Sequence, residues 1–216
     1  MSAESIEPRG MTTDELLAAH LARRPDVDVV TPWLATGGDL HPEPETAAEE
    51  IAALVELGVT HVLDVREEWS DEALVAQHAP QVVYVHLGVD DAGQRMPDEW
   101  FEAGIAVAEQ VVTTGGLLLA HCHMGINRGP SMAFSVLLSQ GVAPVDALDA
   151  IRRARPVAAI GYARDALDHH HRRTGTPPGL RAHEENAVAE WFARNRLDVR
   201  RIVRGIRDAQ GGTTWR

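Results

Sequence analysis

The sequence predicts an α/β fold in which a central, mainly parallel sheet of four to five strands carries helices on both faces. The first observation is that short apolar runs alternate along the chain with longer segments whose apolar residues recur at helical spacing. The second is that helical segments separate most of the runs, and such crossover connections pair strands in parallel. The chain has 216 residues, which is enough for one domain with additional elements.

Aliphatic and β-branched runs mark the strands, and turn residues or proline mark the ends of several helices. The predicted strands are Val27–Ala35 (interrupted by Pro32), Thr60–Val65, Val82–Leu87 and Gly116–Ala120. The predicted helices are Asp14–Arg24, Glu45–Leu57, Ser70–His78, Pro97–Thr114, Ser131–Leu138, Pro144–Arg155, Tyr162–His171 and Glu184–Ala209. Each strand after the first is therefore preceded and followed by a helix.

These elements divide the chain into four predicted parts. Residues 1–26 form an N-terminal helical arm, and residues 27–171 form the main domain. Residues 172–183 form a linker that contains glycine and proline, and residues 184–216 form a C-terminal helical extension. The first ten residues are acidic and polar, which is unlike a secretory signal.

The net charge of −12 is unevenly distributed and limits the choice of partners. Residues 172–216 contain ten arginines and five acidic residues, so the rest of the chain is strongly acidic, which argues against nucleic acid as a partner. No apolar run reaches the length of about 18 residues that suggests a membrane span, and a single cysteine suits a reducing compartment. We expect a cytoplasmic protein without membrane contact, whose C-terminal helix could pair with a second copy or dock a partner.

The strongest chemical signal is the segment His121–Ser131, which joins the last predicted strand to a helix. Its loop contains the only cysteine, Cys122, and six residues later Arg128. Backbone N–H groups and the helix dipole favour an anion at such a helix start, and they are expected to lower the Cys122 pKa from about 8.5 to about 3.5–7.5. Arg128 can clamp a phosphate with its planar fork, and Gly125 can adopt a positive φ. A nucleophile, an anion cradle and a fixed cation together predict phosphoryl transfer through a cysteinyl-phosphate.

The alternative reading of Cys122 is a buried apolar residue at a strand end, which is the commoner role of a lone cysteine. The neighbouring histidine, glycine and arginine favour the catalytic reading. The pattern His-Cys-x-x-Gly-x-x-Arg at His121–Arg128 resembles the motif of the cysteine-based protein phosphatases, and the small dual-specificity phosphatases are the most similar group. The resemblance extends over about two thirds of the chain, 27–171, and it implies a dual-specificity phosphatase-like fold that works without a metal or cofactor. Rhodanese-like sulfurtransferases share a Cys-x5-Arg loop, so a second feature is needed.

That second feature is an acid for the leaving group, which is worth about 10²–10⁴ in rate. Asp90 and Asp91 follow the predicted strand Val82–Leu87, at the same sheet edge as Cys122. In the dual-specificity phosphatases the acid lies in such a loop, ahead of a helix that begins with an aromatic pair. The resemblance places that pair at Trp100–Phe101 and favours Asp91 over Asp90, whereas two aspartates alone would more often form a solvated turn.

The resemblance also suggests roles for the remaining residues of the loop. The His121 ring would hydrogen-bond the loop backbone and hold Cys122 in place. The positions predicted to surround the substrate are His123, Met124, Gly125, Ile126, Asn127, Gly129 and Ser131. Outside the loop, Arg66 lies at the same sheet edge, where it could bind anions, although an ion pair with Glu67 or Glu68 is favoured.

The sequence departs from the family directly after the arginine. Most members have a serine or threonine there, whose hydroxyl assists breakdown of the cysteinyl-phosphate, but this chain has Gly129 followed by Pro130. The regenerating-liver phosphatases have a similar pair, and the resemblance suggests that they are slow enzymes. We therefore expect a phosphomonoester hydrolase of the tyrosine or dual-specificity type, acting on a phosphorylated protein or a small aryl phosphomonoester, with slow hydrolysis of the intermediate. The alternatives are a phosphate-binding module with little or no turnover and a rhodanese-like sulfurtransferase.

Overall fold

The computed structural model describes residues 11–210, and it confirms the α/β fold with a mainly parallel sheet. The five strands are β1 (Val27–Thr31), β2 (Leu34–Gly37), β3 (Val59–Arg66), β4 (Val83–Val89) and β5 (Leu117–His121). They lie in the order β1-β2-β5-β3-β4. Only the β1–β2 pair is antiparallel, because a tight turn joins these two strands, whereas helical crossovers connect the others.

Nine helices lie among the described residues, and they cover both faces of the sheet. Their bounds are α1 (Thr13–Leu21), α2 (Pro44–Glu56), α3 (Glu72–His78), α4 (Asp98–Thr114), α5 (Arg128–Ser139), α6 (Pro144–Ala154), α7 (Ala163–Thr174), α8 (Pro178–Arg194) and α9 (Val199–Ala209). Helix α5 lies at the centre of one face, in contact with α4, α6 and α7, while α2 and α3 cover the other face.

Strand β5 shows how the two cores are separated. Leu118 and Ala120 face the core that contains α5, whereas Leu117 and Leu119 face the core that contains α2. This alternation is the period of two that a strand imposes on its side chains, and here both sides are apolar because both faces are covered. Because β5 lies between β2 and β3, the loop that follows it emerges at the middle of the sheet edge.

The prediction of one continuous helix over Glu184–Ala209 is wrong, because α8 ends at Arg194 and α9 begins at Val199. At the break, the Asn195 side-chain amide donates to the Trp191 carbonyl at 2.8 Å. Asp198 then caps α9 by accepting a hydrogen bond from the Arg201 N–H at 3.0 Å. Asparagine and aspartate offer the backbone such alternatives to the helical ladder, which is why two helices form instead of one.

The two ends of the described chain pack against each other. Helix α1 lies on α9, and Arg201 forms a 2.6 Å ion pair with Asp14. Within the predicted linker, 172–183, only 175–177 lies outside helices, since α7 extends to Thr174 and α8 begins at Pro178. The division into arm, domain and extension stays a prediction, and its outermost parts, 1–10 and 211–216, lie outside the described residues.

No helix within 11–210 combines the length and the apolar character that crossing a membrane requires.

Candidate active site

The loop after β5 folds tightly around Cys122. Gly125 has a φ of +60°, and a Cβ there would lie 2.1 Å from Nη2 of Arg155, so only glycine fits this position. The Cys122 side chain is buried, and the backbone N–H groups of Gly129 and Asn127 are directed at its sulfur. These N–H groups belong to the start of α5, so the loop has the form of the predicted anion cradle.

Arg155 supports this loop from the core of the protein, a role that sequence reasoning missed. Its fully buried guanidinium donates to the carbonyl of Gly125 at 2.5 Å and to that of Met124 at 3.1 Å. The charge is balanced by Asp26 and Asp28, whose carboxylates lie 2.8 and 2.9 Å away. The loop conformation is therefore fixed by an ion-paired arginine in the core.

The segment before α7 supports the loop from the side. The N–H groups of three of its residues donate to the Ile126 carbonyl at 2.7 Å, to the Asn127 side-chain oxygen at 2.6 Å and to the Ser131 hydroxyl at 3.1 Å. The donors are, in the same order, Ala159, Gly161 and Tyr162. Ser131 is fully buried, so its hydroxyl faces this segment.

Arg128 holds a carboxylate in the geometry that a phosphate would need. Its two terminal nitrogens donate to the two oxygens of Glu68 at 2.8 and 2.7 Å, and one also donates to the Val89 carbonyl at 2.9 Å. Its Nε is buried without a hydrogen-bond acceptor among the described residues and lies 3.6 Å from the Asp91 carboxylate. Although burial opposes ionisation, Arg128 lowers the pKa of Glu68, which keeps the carboxylate charged.

The prediction that Arg66 pairs with Glu67 or Glu68 is wrong, and so is its alternative role in anion binding. The guanidinium is fully buried and donates to Asp64 at 2.8 and 2.7 Å, and to Asp39 and Asp71 at 2.6 Å each. Three carboxylates accept hydrogen bonds from four of its five N–H groups, and the side chain is fully buried, so the guanidinium is not open to a ligand. Glu68 is instead the partner of Arg128.

The expected hydrogen bond from the His121 ring to the loop backbone is absent. The ring faces Asp64, with 3.7 Å between Nε2 and the nearer carboxylate oxygen, and its Nδ1 is buried without a partner among residues 11–210. The cause is the register of β5 on β3, which sets His121 opposite Asp64. Burial lowers the pKa of His121, and the nearby Arg66 charge acts in the same direction, so the ring is neutral near pH 7.

The two residues that follow Cys122 form one rim of the loop. The His123 ring bonds to Asp39 and lies edge-on to Trp69, with 5.2 Å between the ring centroids. Met124 packs with the apolar residues of α1 and α9, as does Ile126. This side of the loop is therefore covered by the two terminal helices.

Asp91 lies on the opposite side, and two side chains hold it there. Its Oδ1 accepts from the Asn127 amide at 2.6 Å and from the Tyr162 hydroxyl at 2.7 Å. Burial and the bond to Asp91 raise the pKa of Tyr162 to about 12, so the phenol remains protonated and can donate. Asp90 instead accepts from the Asp91 N–H at 2.7 Å, so its carboxylate is turned back on its own loop. Asp91 is thus the aspartate beside Arg128, while its catalytic role stays a prediction.

In this arrangement the pKa of Cys122 is not lowered, although the sequence predicts that it is. Burial raises the pKa of Cys122, against the opposing effects of the Gly129 N–H and the Arg128 charge. The carboxylates of Glu68 and Asp91 offset that charge, and Asp91 itself favours the neutral thiol. The cradle is present, but two carboxylates offset the charge of Arg128.

No family model matches the chain, but a curated protein and several solved structures are similar to it. The mouse dual specificity protein phosphatase 2 is 24% identical over 135 residues, which are 62% of this chain but only 39% of that protein. A mouse dual-specificity phosphatase crystallised with zinc tungstate matches at a TM-score of 0.57 and 25% identity, over 69% of this chain and 89% of its own. Human DUSP28 matches at a TM-score of 0.57 and 23% identity, over 70% of this chain and 97% of its own. The chain therefore has the fold of dual-specificity-like cysteine phosphatases, and its sequence is similar to theirs.

Proposed function

We propose that this protein hydrolyses phosphomonoesters through a cysteinyl-phosphate, with Cys122 as nucleophile, Arg128 as phosphate clamp and Asp91 as general acid. The observation that carries the proposal is the position of Asp91, which Asn127 and Tyr162 hold beside Arg128. The substrate class is a phosphorylated protein or a small aryl phosphomonoester, with phosphotyrosine favoured because a phenolate leaves readily.

The first step would start from the Cys122 thiolate, whose proton has been released to solvent, and would form a bond between its sulfur and phosphorus. Arg128 would exchange the Glu68 carboxylate for two oxygens of the phosphate, since both ligands accept the same pair of parallel N–H donors. As the bond from phosphorus to the leaving oxygen breaks, Asp91 would pass its proton to that oxygen. The products are the free alcohol or phenol, a phosphorylated Cys122 and an ionised Asp91.

In the second step a water would attack phosphorus, the ionised Asp91 would accept the water's proton, and the sulfur would leave. This chain has Gly129 where most dual-specificity phosphatases have a hydroxyl that assists this step, and the buried Ser131 hydroxyl already accepts a hydrogen bond from Tyr162. We therefore expect a burst of product followed by slow turnover.

The second candidate is a phosphate-binding module that does not turn over. Two observations favour it: the missing hydroxyl at Gly129, and the raised pKa of the buried Cys122 thiol. Both candidates predict that phosphate or vanadate binds at Arg128, so binding alone does not separate them. Release of phosphate does.

The test is hydrolysis of para-nitrophenyl phosphate in the presence of EDTA. We expect activity in the wild-type protein, none for Cys122→Ser, and a loss of about 10²-fold or more for Asp91→Ala. The matched control is Asp90→Ala, which removes the neighbouring carboxylate and should lower the rate by less than about threefold, because Asp90 faces its own loop.

Two results would overturn the assignment. A folded wild type that binds vanadate but releases no phosphate would favour the binding module. Equal losses of activity in Asp91→Ala and Asp90→Ala would show that Asp91 is not the general acid.

A further inference from the structure

A groove of about 1120 Å³ runs along the loop 90–96 that carries Asp91, and we refer to it as the acid-loop groove. It begins at Asn127 and Tyr162, the two side chains that bond to Asp91, and it extends to Phe192 and Val199 on the C-terminal helices. Two side chains thus belong both to the candidate active site and to the groove. The groove therefore adjoins the two side chains that position Asp91.

The size and lining of this groove suit a polypeptide. Its volume exceeds the roughly 300–1,000 Å³ that is usual for small-molecule sites. The apolar part includes Phe192 and Val199, which lie next to exposed polar groups such as Arg95 and Arg164. An extended peptide requires this combination, because its side chains need apolar contacts while its backbone must remain hydrated or hydrogen-bonded.

One wall of the groove is a single face of α8. Glu185 is three and four residues before Val188 and Ala189, and these two are four and three residues before Phe192, which places the four side chains on one side of the helix. Helix α8 is anchored by Trp191, whose Nε1 donates to Asp149 at 2.5 Å. The wall is therefore in position before any ligand arrives, so a ligand would pay little ordering entropy there.

A second groove, of about 690 Å³, lies on the other side of the loop and provides a contrast. It includes His123 and Met124, but its lining is dominated by charged and polar side chains. These are His20, Arg24, Asp26, Asp39, His41, Glu43 and Glu50. The acid-loop groove is the one that combines an apolar wall with direct contact to the Asp91 supports.

We propose that the acid-loop groove binds the polypeptide that flanks a phosphorylated residue, with an apolar side chain of that polypeptide packed on Phe192. The inference rests on the proposed function, and it narrows the substrate from phosphomonoesters in general to phosphoproteins with an apolar residue near the phosphorylation site. A small aryl phosphate reaches Cys122 without entering the groove.

The experiment compares three substrates: para-nitrophenyl phosphate, a phosphotyrosyl peptide with leucines near the phosphotyrosine, and the same peptide with glycines in their place. Ala189→Arg fills the groove from an exposed position on its wall, while Ala193→Arg adds the same side chain at an exposed position one turn further along α8, outside the groove. We expect Ala189→Arg to lower kcat/KM for the leucine peptide by about tenfold or more. Its effect on para-nitrophenyl phosphate, and that of Ala193→Arg on all three substrates, should stay within about twofold.

Different outcomes test the groove and the reaction separately. The groove proposal is overturned if the wild type treats both peptides alike, or if Ala189→Arg lowers all three rates equally. If the wild type hydrolyses no substrate, the proposed function has failed and the groove is tested by binding of the fluorescently labelled leucine peptide. Weaker binding to Ala189→Arg than to Ala193→Arg then supports the groove, and equal or absent binding overturns it.

Discussion

Two buried arginines at the same edge of the sheet, Arg66 and Arg128, differ in what holds them. Arg66 ends β3, and three carboxylates, those of Asp64, Asp39 and Asp71, accept its hydrogen bonds. Arg128 begins α5, and one carboxylate, that of Glu68, accepts a bidentate pair. Sequence position alone suggested an anion-binding role for either arginine, since each follows or adjoins a strand end.

The exposure of the partners separates the two roles. The side chains around Arg66 are 0%, 11% and 16% exposed, so none of them can turn into water without breaking the core. Glu68 is 40% exposed and can turn into water, where its carboxylate is hydrated, while the buried Arg128 then requires another anion in its place. A buried arginine with a replaceable, exposed partner is therefore suited to ligand binding, whereas one with several buried partners stabilises the fold.

The largest expected effect comes from Arg128→Lys. Lysine keeps the charge but cannot present two parallel N–H donors, so kcat/KM for an aryl phosphate should fall by about 10²–10³. The urea-measured free energy of unfolding should fall by only about 1 kcal/mol, because lysine can still donate to one acceptor and Glu68 can turn into water. Normal activity in this variant would contradict the assignment of Arg128 as the clamp.

Arg66→Lys should have the opposite balance of effects: it should lower stability more, and activity less, than Arg128→Lys does. An ammonium group cannot satisfy all the carboxylate oxygens around Arg66, so the free energy of unfolding should fall by about 1–3 kcal/mol. The residual activity of folded Arg66→Lys should exceed that of Arg128→Lys by at least about tenfold. A variant that keeps its stability but loses its activity would place Arg66 in the catalytic machinery instead.

The cost of Arg66→Lys should also depend on pH. Burial opposes ionisation of Asp64, but the hydrogen bonds and charge of Arg66 outweigh it and lower the pKa from 3.8 to about 2. A lowered carboxyl pKa stabilises the folded state above the unfolded value near 3.9, and this contribution is lost as the pH falls towards 2. The difference between wild type and variant should therefore shrink from pH 7 to pH 3 in urea titrations. A constant difference would show that Asp64 is not the group involved.

Sequence patterns were sufficient to predict the parts of the molecule that depend on residues close together in the chain. The alternation of apolar runs and helices gave the sheet, and the spacing of Cys122, Gly125 and Arg128 gave the form of the loop with its positive φ at Gly125. These features depend on residues close in the chain. The same holds for the placement of Asp91 at the sheet edge, since parallel strands end together.

The missed supports of the loop, of Arg128 and of Asp91 depend on contacts between distant parts of the chain, whereas the missed break between α8 and α9 is local. Glu68 reaches Arg128 across 60 positions, and Arg155 joins the loop to Asp26 across 129. The support of Asp91 by Asn127 and Tyr162 also required the fold. One signal was available for Glu68, which lies two residues beyond a strand whose end was predicted at this sheet edge. Glu68 pairs with Arg128 and not with the nearer Arg66 because three other carboxylates already surround Arg66.

The smallest expected effect tests why the Cys122 pKa is not lowered. If Glu68 offsets the charge of Arg128, then Glu68→Gln should expose the thiol to more of that charge and lower its pKa. The pH dependence of alkylation by iodoacetamide would report this shift, with a rate increase of about threefold near neutral pH. Glu67→Gln is the matched control, because Glu67 is exposed and forms no ion pair with Arg128. An unchanged pKa in Glu68→Gln would mean that Glu68 does not offset the effect of the Arg128 charge on the thiol.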